Sequence, residues 1–201
     1  MIRIKICGVT RVGDAVAAAA LGVDAIGLVF TPISRRHVSV KQAVALCRAL
    51  PPFVTRVGLF MDQEADSIGS VLRQVPLDCL QFHGGETAEF CRQFERPWIK
   101  ALAMAGEGRV DFAAFDAADA LLLDSHAPGQ AGGTGQTFDW SAFRPPDRPW
   151  ILAGGLNPDN VVLACRQLQP HAVDVSSGVE EQPGIKDQER MKAFIEAVRH
   201  G

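Results

Sequence analysis

Cys7 closes an alternating run, Ile2-Arg-Ile-Lys-Ile-Cys7, and Gly8 follows it at once. A thiol ordinarily ionises at a pKa of about 8.5 and serves as base or nucleophile only as the thiolate. Lys5, two residues earlier, leaves the same face of an extended chain and would favour that anion. Most free cysteines are only small buried hydrophobes, and position alone leaves that reading of Cys7 open. Asp124 follows the apolar run Leu121-Leu-Leu123. A carboxylate there either caps a helix or bonds a loop, or it is a general acid whose pKa burial raises.

A second set of residues suits anions. Three late turns are rich in glycine and serine: Gly132-Gly133-Thr134-Gly135, Ala153-Gly154-Gly155 and Ser176-Ser177-Gly178-Val179. Glycine lets backbone N–H groups approach an anion closely and form a nest around it. One such turn could be turn chemistry alone; three in succession point to a phosphate. Of Arg35 and Arg36, one could clamp a carboxylate through two N–H groups while the other stays solvated. Gln81 and His83 share one face of a short apolar run and read as polar lining groups. Asp174 lies inside another such run, with an internal hydrogen bond or a salt link to Lys5 or Lys100 as its alternatives.

These residues need elements to hold them. Short runs rich in Val, Ile and Leu recur at Ile2–Ile6, Ala25–Val29, Arg56–Phe60, Cys79–Phe82, Trp98–Ala101, Ala120–Leu123, Ile151–Ala153 and Ala172–Val175. Such runs suit strands buried on both faces. Helix signals lie between them. Ser39-Val-Lys-Gln42 has the capping-box pattern, and Pro51-Pro52 stops the helix it opens. Asp62 is expected to cap the next helix and Pro76 to close it. Asn157-Pro158 precedes a helix over Asn160–Leu168, and Asp187 opens the last one, toward Val198.

Strict strand–helix alternation predicts parallel strands joined by right-handed crossovers. The expected fold is a single-domain (β/α)8 TIM barrel over residues 1–201. Eight units leave about 25 residues each, near the minimum for the repeat. The fifth and sixth helices, Arg109–Phe115 and Trp140–Phe143, are accordingly shortened. An open doubly wound sheet would place a Gly-rich turn after its first strand, whereas here the Gly-rich turns come late. In a barrel, groups just past the strand C-termini face the active site. Those groups are Cys7, Ser34–Arg36, Asp62, Gln81, His83, Lys100, Asp124, Gly154-Gly155 and Ser176–Gly178. Cys7 and Asp124 then face each other across the mouth, as proton transfer at two separate substrate atoms requires.

Bulk properties narrow the partners. The chain has 201 residues, 47% of them hydrophobic, which supports a sizeable core. A formal charge of −3 with no basic run excludes a nucleic-acid surface. The substrate is expected to be a small phosphorylated molecule. Five widely spaced cysteines without a CxxC pair argue against disulfides or zinc and for a reducing, cytoplasmic setting. The strand pattern at the second residue leaves no room for a signal peptide, and the apolar stretch around Ala15–Leu21 is too short to span a bilayer. Monomer and homodimer are both compatible with the sequence.

Lys5-Ile-Cys-Gly-Val-Thr10, Ser34-Arg-Arg-His-Val38, Gln81-Phe-His-Gly84, Leu123-Asp-Ser125, Gly132-Gly-Thr-Gly135, Ala153-Gly-Gly-Leu156 and Asp174-Val-Ser-Ser-Gly-Val-Glu180 together resemble the phosphoribosylanthranilate isomerase family of tryptophan biosynthesis. The resemblance runs from Lys5 to the final helix. It implies the same barrel, an Amadori rearrangement of N-(5-phosphoribosyl)anthranilate, and no need of metal or cofactor. By motif position it implies Cys7 as general base, Asp124 as general acid and Arg36 as the group meeting the anthranilate carboxylate. Gln81, His83 and Asp174 would line the substrate. Gly133, Thr134, Gly135, Gly154, Gly155, Ser176, Ser177 and Gly178 would hold its phosphate. Arg35 stands where the family often has Pro. Other sugar-phosphate barrels, such as ProFAR isomerase or a pentose-phosphate epimerase, share the late loops but not the Lys-Ile-Cys-Gly start. A non-catalytic module for phosphorylated metabolites would need no Cys7 with Asp124.

Overall fold

The computed structural model describes residues 1–104, 111–125 and 145–201. Eight parallel strands close into a barrel in chain order. They are β1 (Arg3–Cys7), β2 (Ala25–Val29), β3 (Thr55–Phe60), β4 (Cys79–Phe82), β5 (Trp98–Ala103), β6 (Ala120–Asp124), β7 (Trp150–Ala153) and β8 (Ala172–Val175). β8 returns to β1, pairing Asp174 with Lys5. Cys7 and Asp124 are the last residues of their strands, not the first beyond them. Cys7 is in register with Gly27, and Asp124 with Ala103 and Ala153.

The helices pack outside this sheet: α1 (Val12–Ala20), α2 (Val40–Ala49), α3 (Ala65–Leu72), α4 (Ala88–Arg92), α5 (Val161–Leu168) and α6 (Gln188–His200). The capping box of α2 forms as its sequence predicts. Ser39 Oγ accepts from the Gln42 N–H, and Gln42 Oε1 accepts from the Ser39 N–H at 3.0 Å. Such a cap contributes about 1 kcal/mol. Asp187 likewise caps α6 by accepting from the Arg190 N–H at 2.9 Å.

Asp62 does not cap α3. The helix starts after Glu64, and the Asp62 carboxylate accepts from the Gly85 N–H at 2.7 Å instead. Its backbone is left-handed (φ 52°), a conformation that Asp tolerates better than most residues. Pro76 does not end α3 either, since the helix already closes at Arg73. Of the expected short fifth helix, the described part is a single 3₁₀ turn, Ala113–Phe115. The sixth, Trp140–Phe143, and the turn at Gly133, Thr134 and Gly135 lie outside the described residues. A short antiparallel hairpin, β9 (Glu180–Gln182) with β10 (Ile185–Lys186), follows a 3₁₀ turn over Ser177–Val179. Nothing in the apolar pattern announced it.

The core has two parts. A large one lies between sheet and helices. A smaller one fills the barrel itself with Val57, Cys79, Ile99, Ala101, Leu122, Ile151 and Ala153. These inward positions alternate along each strand with outward ones, as the pleat requires. Continued to the C-terminal end, the inward series brings up Lys5 and Cys7, Gln81, Asp124 and Asp174. Lys100 sits between inward Ile99 and Ala101 and therefore points out. It is buried against Glu86 (2.8 Å), the Gly84 carbonyl oxygen (2.6 Å) and the Phe115 ring, whose centroid is 5.5 Å away. Lys100 is thus no part of the mouth, and Asp174 takes Lys5 as its partner.

Candidate active site

A cavity of about 430 Å³ opens at the C-terminal mouth of the barrel. Cys7, Arg36, Gln81, His83, Asp124 and Asp174 line it, together with Gly154, Gly155, Ser176 and Ser177. Sequence reasoning had singled out every one of them. Gly178 is not among the lining residues but packs on the backbone of Leu156, which is one of them, and Gly133, Thr134 and Gly135 are outside the described residues.

Cys7 is buried at the end of β1. Burial pushes its thiol above the ordinary range, while the ammonium groups of Lys5 and Lys186 pull it back down. Lys5 therefore acts as expected but does not outweigh desolvation in the free protein. Burial works against the charge on Lys5 too, yet Asp174, 2.9 Å from its Nζ, and Cys7 hold the ammonium above its usual value. Breaking such a buried pair costs about 3–5 kcal/mol. Burial also pushes the Cys79 and Cys91 thiols up, to about 12, which suits packing residues.

Gly27 makes room for the thiol. A Cβ there would lie 2.7 Å from Cys7 Sγ and 3.0 Å from Cys7 Cα. Gly27→Ala should displace the sulfur and lower kcat by about tenfold or more, since a misplacement of about 1 Å costs up to 10²-fold. Steady-state kinetics beside an unchanged far-ultraviolet spectrum will check it. Unaltered kcat would mean that the sulfur position is unimportant.

Opposite Cys7, Asp124 is buried at the end of β6. His83 Nε2 lies 3.6 Å from Asp124 Oδ2. Burial holds His83 below the usual imidazole value against the pull of Asp124 and Asp174. Gln81 Nε2 is 3.2 Å from His83 Nδ1, so an amide donor there would leave the proton of a neutral ring on Nε2, toward Asp124.

The loop after β2 folds with Arg35 where the resemblance suggested a proline. The Ser34 N–H bonds the Thr31 carbonyl, the His37 N–H bonds the Ser34 carbonyl, and the Arg36 N–H bonds Ser34 Oγ at 3.1 Å. This turns Arg36 back over the mouth. Its Nε and Nη2 meet Glu180 Oε1 and Oε2 at 2.8 and 2.6 Å. Gly8 leaves space for that side chain, because at its φ of +72° a Cβ would sit 2.4 Å from Arg36 Cδ.

The two described late turns press together. Gly154 and Gly155 have φ of +85° and +65°. Gly178 packs on the Leu156 carbonyl so closely that a Cβ would come within 1.9 Å of the oxygen. The turns after β7 and β8 thus share one corner of the mouth, where phosphate sites of this fold usually form. Glu180 and Lys186 went unassigned from sequence. Glu180 ends a motif and offered a signal; Lys186, on the returning hairpin strand, offered none.

Fold and mouth together define a β/α-barrel enzyme with its polar groups gathered at the C-terminal rim. Within that class, the chain belongs to the N-(5'-phosphoribosyl)anthranilate isomerase family, whose family model matches residues 4–197. The enzyme of that name from Pseudomonas aeruginosa (strain UCBPP-PA14) is 54% identical over 98% of this chain and 95% of its own. The Thermus thermophilus phosphoribosyl anthranilate isomerase crystal structure superposes with a TM-score of 0.88 at 38% identity, covering 98% of both chains. A further isomerase structure, 38% identical with a TM-score of 0.81 over 99% of both chains, holds reduced 1-(o-carboxyphenylamino)-1-deoxyribulose 5-phosphate.

Proposed function

We propose that this chain isomerises N-(5'-phosphoribosyl)anthranilate to 1-(o-carboxyphenylamino)-1-deoxyribulose 5-phosphate, a step of tryptophan biosynthesis, with Cys7 as base and Asp124 as acid. The observation that carries the reading is the meeting of Cys7 and Asp124 in one cavity beside Arg36 and the Gly154–Ser177 corner. Asp124 gives its proton to the ribose ring oxygen. The C1–O bond breaks, and the anthranilate nitrogen lone pair forms the C1=N Schiff base. The Cys7 thiolate then takes the proton from C2, the electrons shift to the nitrogen, and an enolamine results. Loss of the C2 hydroxyl proton and gain of one at C1 yield the ketone. Proton transfer by a placed group is worth about 10²–10⁴-fold.

Lys5 supplies the positive charge that favours the thiolate. Arg36 receives the anthranilate carboxylate, and Gln81, His83 and Asp174 line the sugar. Backbone N–H groups of Gly154, Gly155, Ser177 and Gly178, joined by those of Gly133, Thr134 and Gly135, hold the phosphate as a remote handle. The setting is the cytoplasm, in keeping with five cysteines that are all unpaired. Among the described residues no helix is long and apolar enough to cross a membrane.

Freshly made substrate should lose its anthranilate-type fluorescence on addition of the protein, and inorganic phosphate should inhibit competitively. No turnover would overturn the reading. Turnover without phosphate competition would move the phosphate elsewhere.

A further inference from the structure

Glu180 and Lys186 form an ion cluster with Arg36 at the mouth, and the reaction as written uses only Arg36 of it. Glu180 Oε1 and Oε2 take Arg36 Nε and Nη2, which is the side edge of the guanidinium. An arginine has a second bidentate edge, made by Nη1 and the outer N–H of Nη2. Among the described residues no protein group accepts a hydrogen bond from Arg36 Nη1, and Arg36 lines the cavity. A substrate carboxylate on that edge would share one guanidinium with Glu180, so the three charges would sum to −1. Lys186 removes this deficit. Its Nζ lies 2.8 Å from Glu180 Oε1, and its side chain is 0% exposed. The cluster therefore carries +1 when empty and zero once a carboxylate binds.

The cluster is firmly held. The Gly184 N–H also donates to Glu180 Oε1 (3.2 Å), and the Lys186 N–H donates to Asp14 Oδ2 (2.9 Å). Lys186 Nζ donates in addition to the Ser176 carbonyl oxygen (3.1 Å) and lies 3.4 Å from Ser176 Oγ. Both ends of the pair thus sit on the β9–β10 hairpin, which closes back on β8 and α1.

We propose that Glu180 and Lys186 are positioning residues that make Arg36 selective for a ligand carboxylate: Glu180 orients the guanidinium, and Lys186 cancels the repulsion Glu180 would exert on the incoming anion. This rests on the assignment of Arg36 to the substrate carboxylate. Lys186 touches neither the reacting atoms nor the ligand carboxylate. Its effect on the carboxylate should appear as a preference between ligands, while its pull on the Cys7 thiol acts on the chemical step and does not enter a ratio of binding constants.

The test compares two ligands by calorimetry: reduced 1-(o-carboxyphenylamino)-1-deoxyribulose 5-phosphate and the same molecule without the ring carboxylate. Lys186→Met should weaken the carboxylated ligand about tenfold relative to the other, as an unneutralised charge in a half-buried site does. Any disturbance of Ser176 and the phosphate corner affects both ligands alike and cancels in this ratio. In the double variant Glu180→Gln with Lys186→Met, the repelling charge is gone with its neutraliser. The ratio should then recover part of the way toward wild type. Parallel weakening of both ligands, or an unchanged ratio in Lys186→Met, would overturn the proposal. Should Lys186→Met not fold, the charge-conserving double variant decides: a ratio below wild type upholds the proposal, and an equal one overturns it. Arg36→Lys separates the two readings. An unchanged ratio there refutes the carboxylate assignment itself, while a fall there without one in Lys186→Met refutes only the role of the pair.

Discussion

Cys7→Ser should turn substrate over with a kcat lower by about 10²–10⁴-fold while still binding the reduced product analogue. The size of the side chain is nearly kept, but a hydroxyl does not ionise near neutral pH. The C2 proton then has no base. The pH profile distinguishes this from a packing defect. Burial sets the Cys7 thiol above its ordinary range, with Lys5 and Lys186 opposing it, so thiolate in the free enzyme grows as pH rises into the alkaline region. The limb of kcat/KM that climbs with pH should therefore lie on the alkaline side, and it should vanish in the serine variant. Near wild-type turnover with an unaltered profile would return Cys7 to the packing role of most free cysteines.

Asp124→Asn should cost about as much, roughly 10²–10⁴-fold in kcat, for a different reason. The amide keeps the shape and can still accept from His83, but it has no proton to give the ring oxygen. Ring opening would then become the limiting step, ahead of C2 deprotonation. A substrate deuterated at C2 should consequently show little or no isotope effect on the kcat of Asp124→Asn. An undiminished rate would assign the acid to another group, and His83 lies 3.6 Å from the same carboxylate.

Much of this was legible in the chain. Each strand is a short apolar run, and the period of two along it carries inward residues to the mouth, so Cys7, Gln81, Asp124 and Asp174 could be placed by counting. The period also explains Lys100. It stands near the end of the expected Trp98–Ala101 run but lies one residue out of phase, and its outward face became visible only once Ile99 and Ala101 were found inside the barrel. Asp62 misled because a carboxylate shortly before a helix has two kinds of donor in reach. The donor it took, the Gly85 N–H, is 23 residues away. Lys186 could not be read at all. Its partners are Glu180 on the facing hairpin strand, Ser176 beyond β8 and Asp14 at the other end of the chain, and no local pattern records such a meeting.

The pair that took Lys100 away from the mouth has a consequence for how the rim moves. Glu86 Oε1 accepts the Asp62 N–H at 2.8 Å, and its Oε2 accepts the Gly84 N–H at 2.8 Å as well as the Lys100 ammonium. One buried carboxylate thus ties the loops after β3 and β4 to the outer face of β5. Those loops cannot fray singly, because lifting either one strands a buried anion and a buried cation together. In the language of native-state opening, this flank should join the cooperative unit of the barrel and exchange its amide protons through sub-global unfolding, which hydrogen-exchange rates at Asp62 and Gly84 will check.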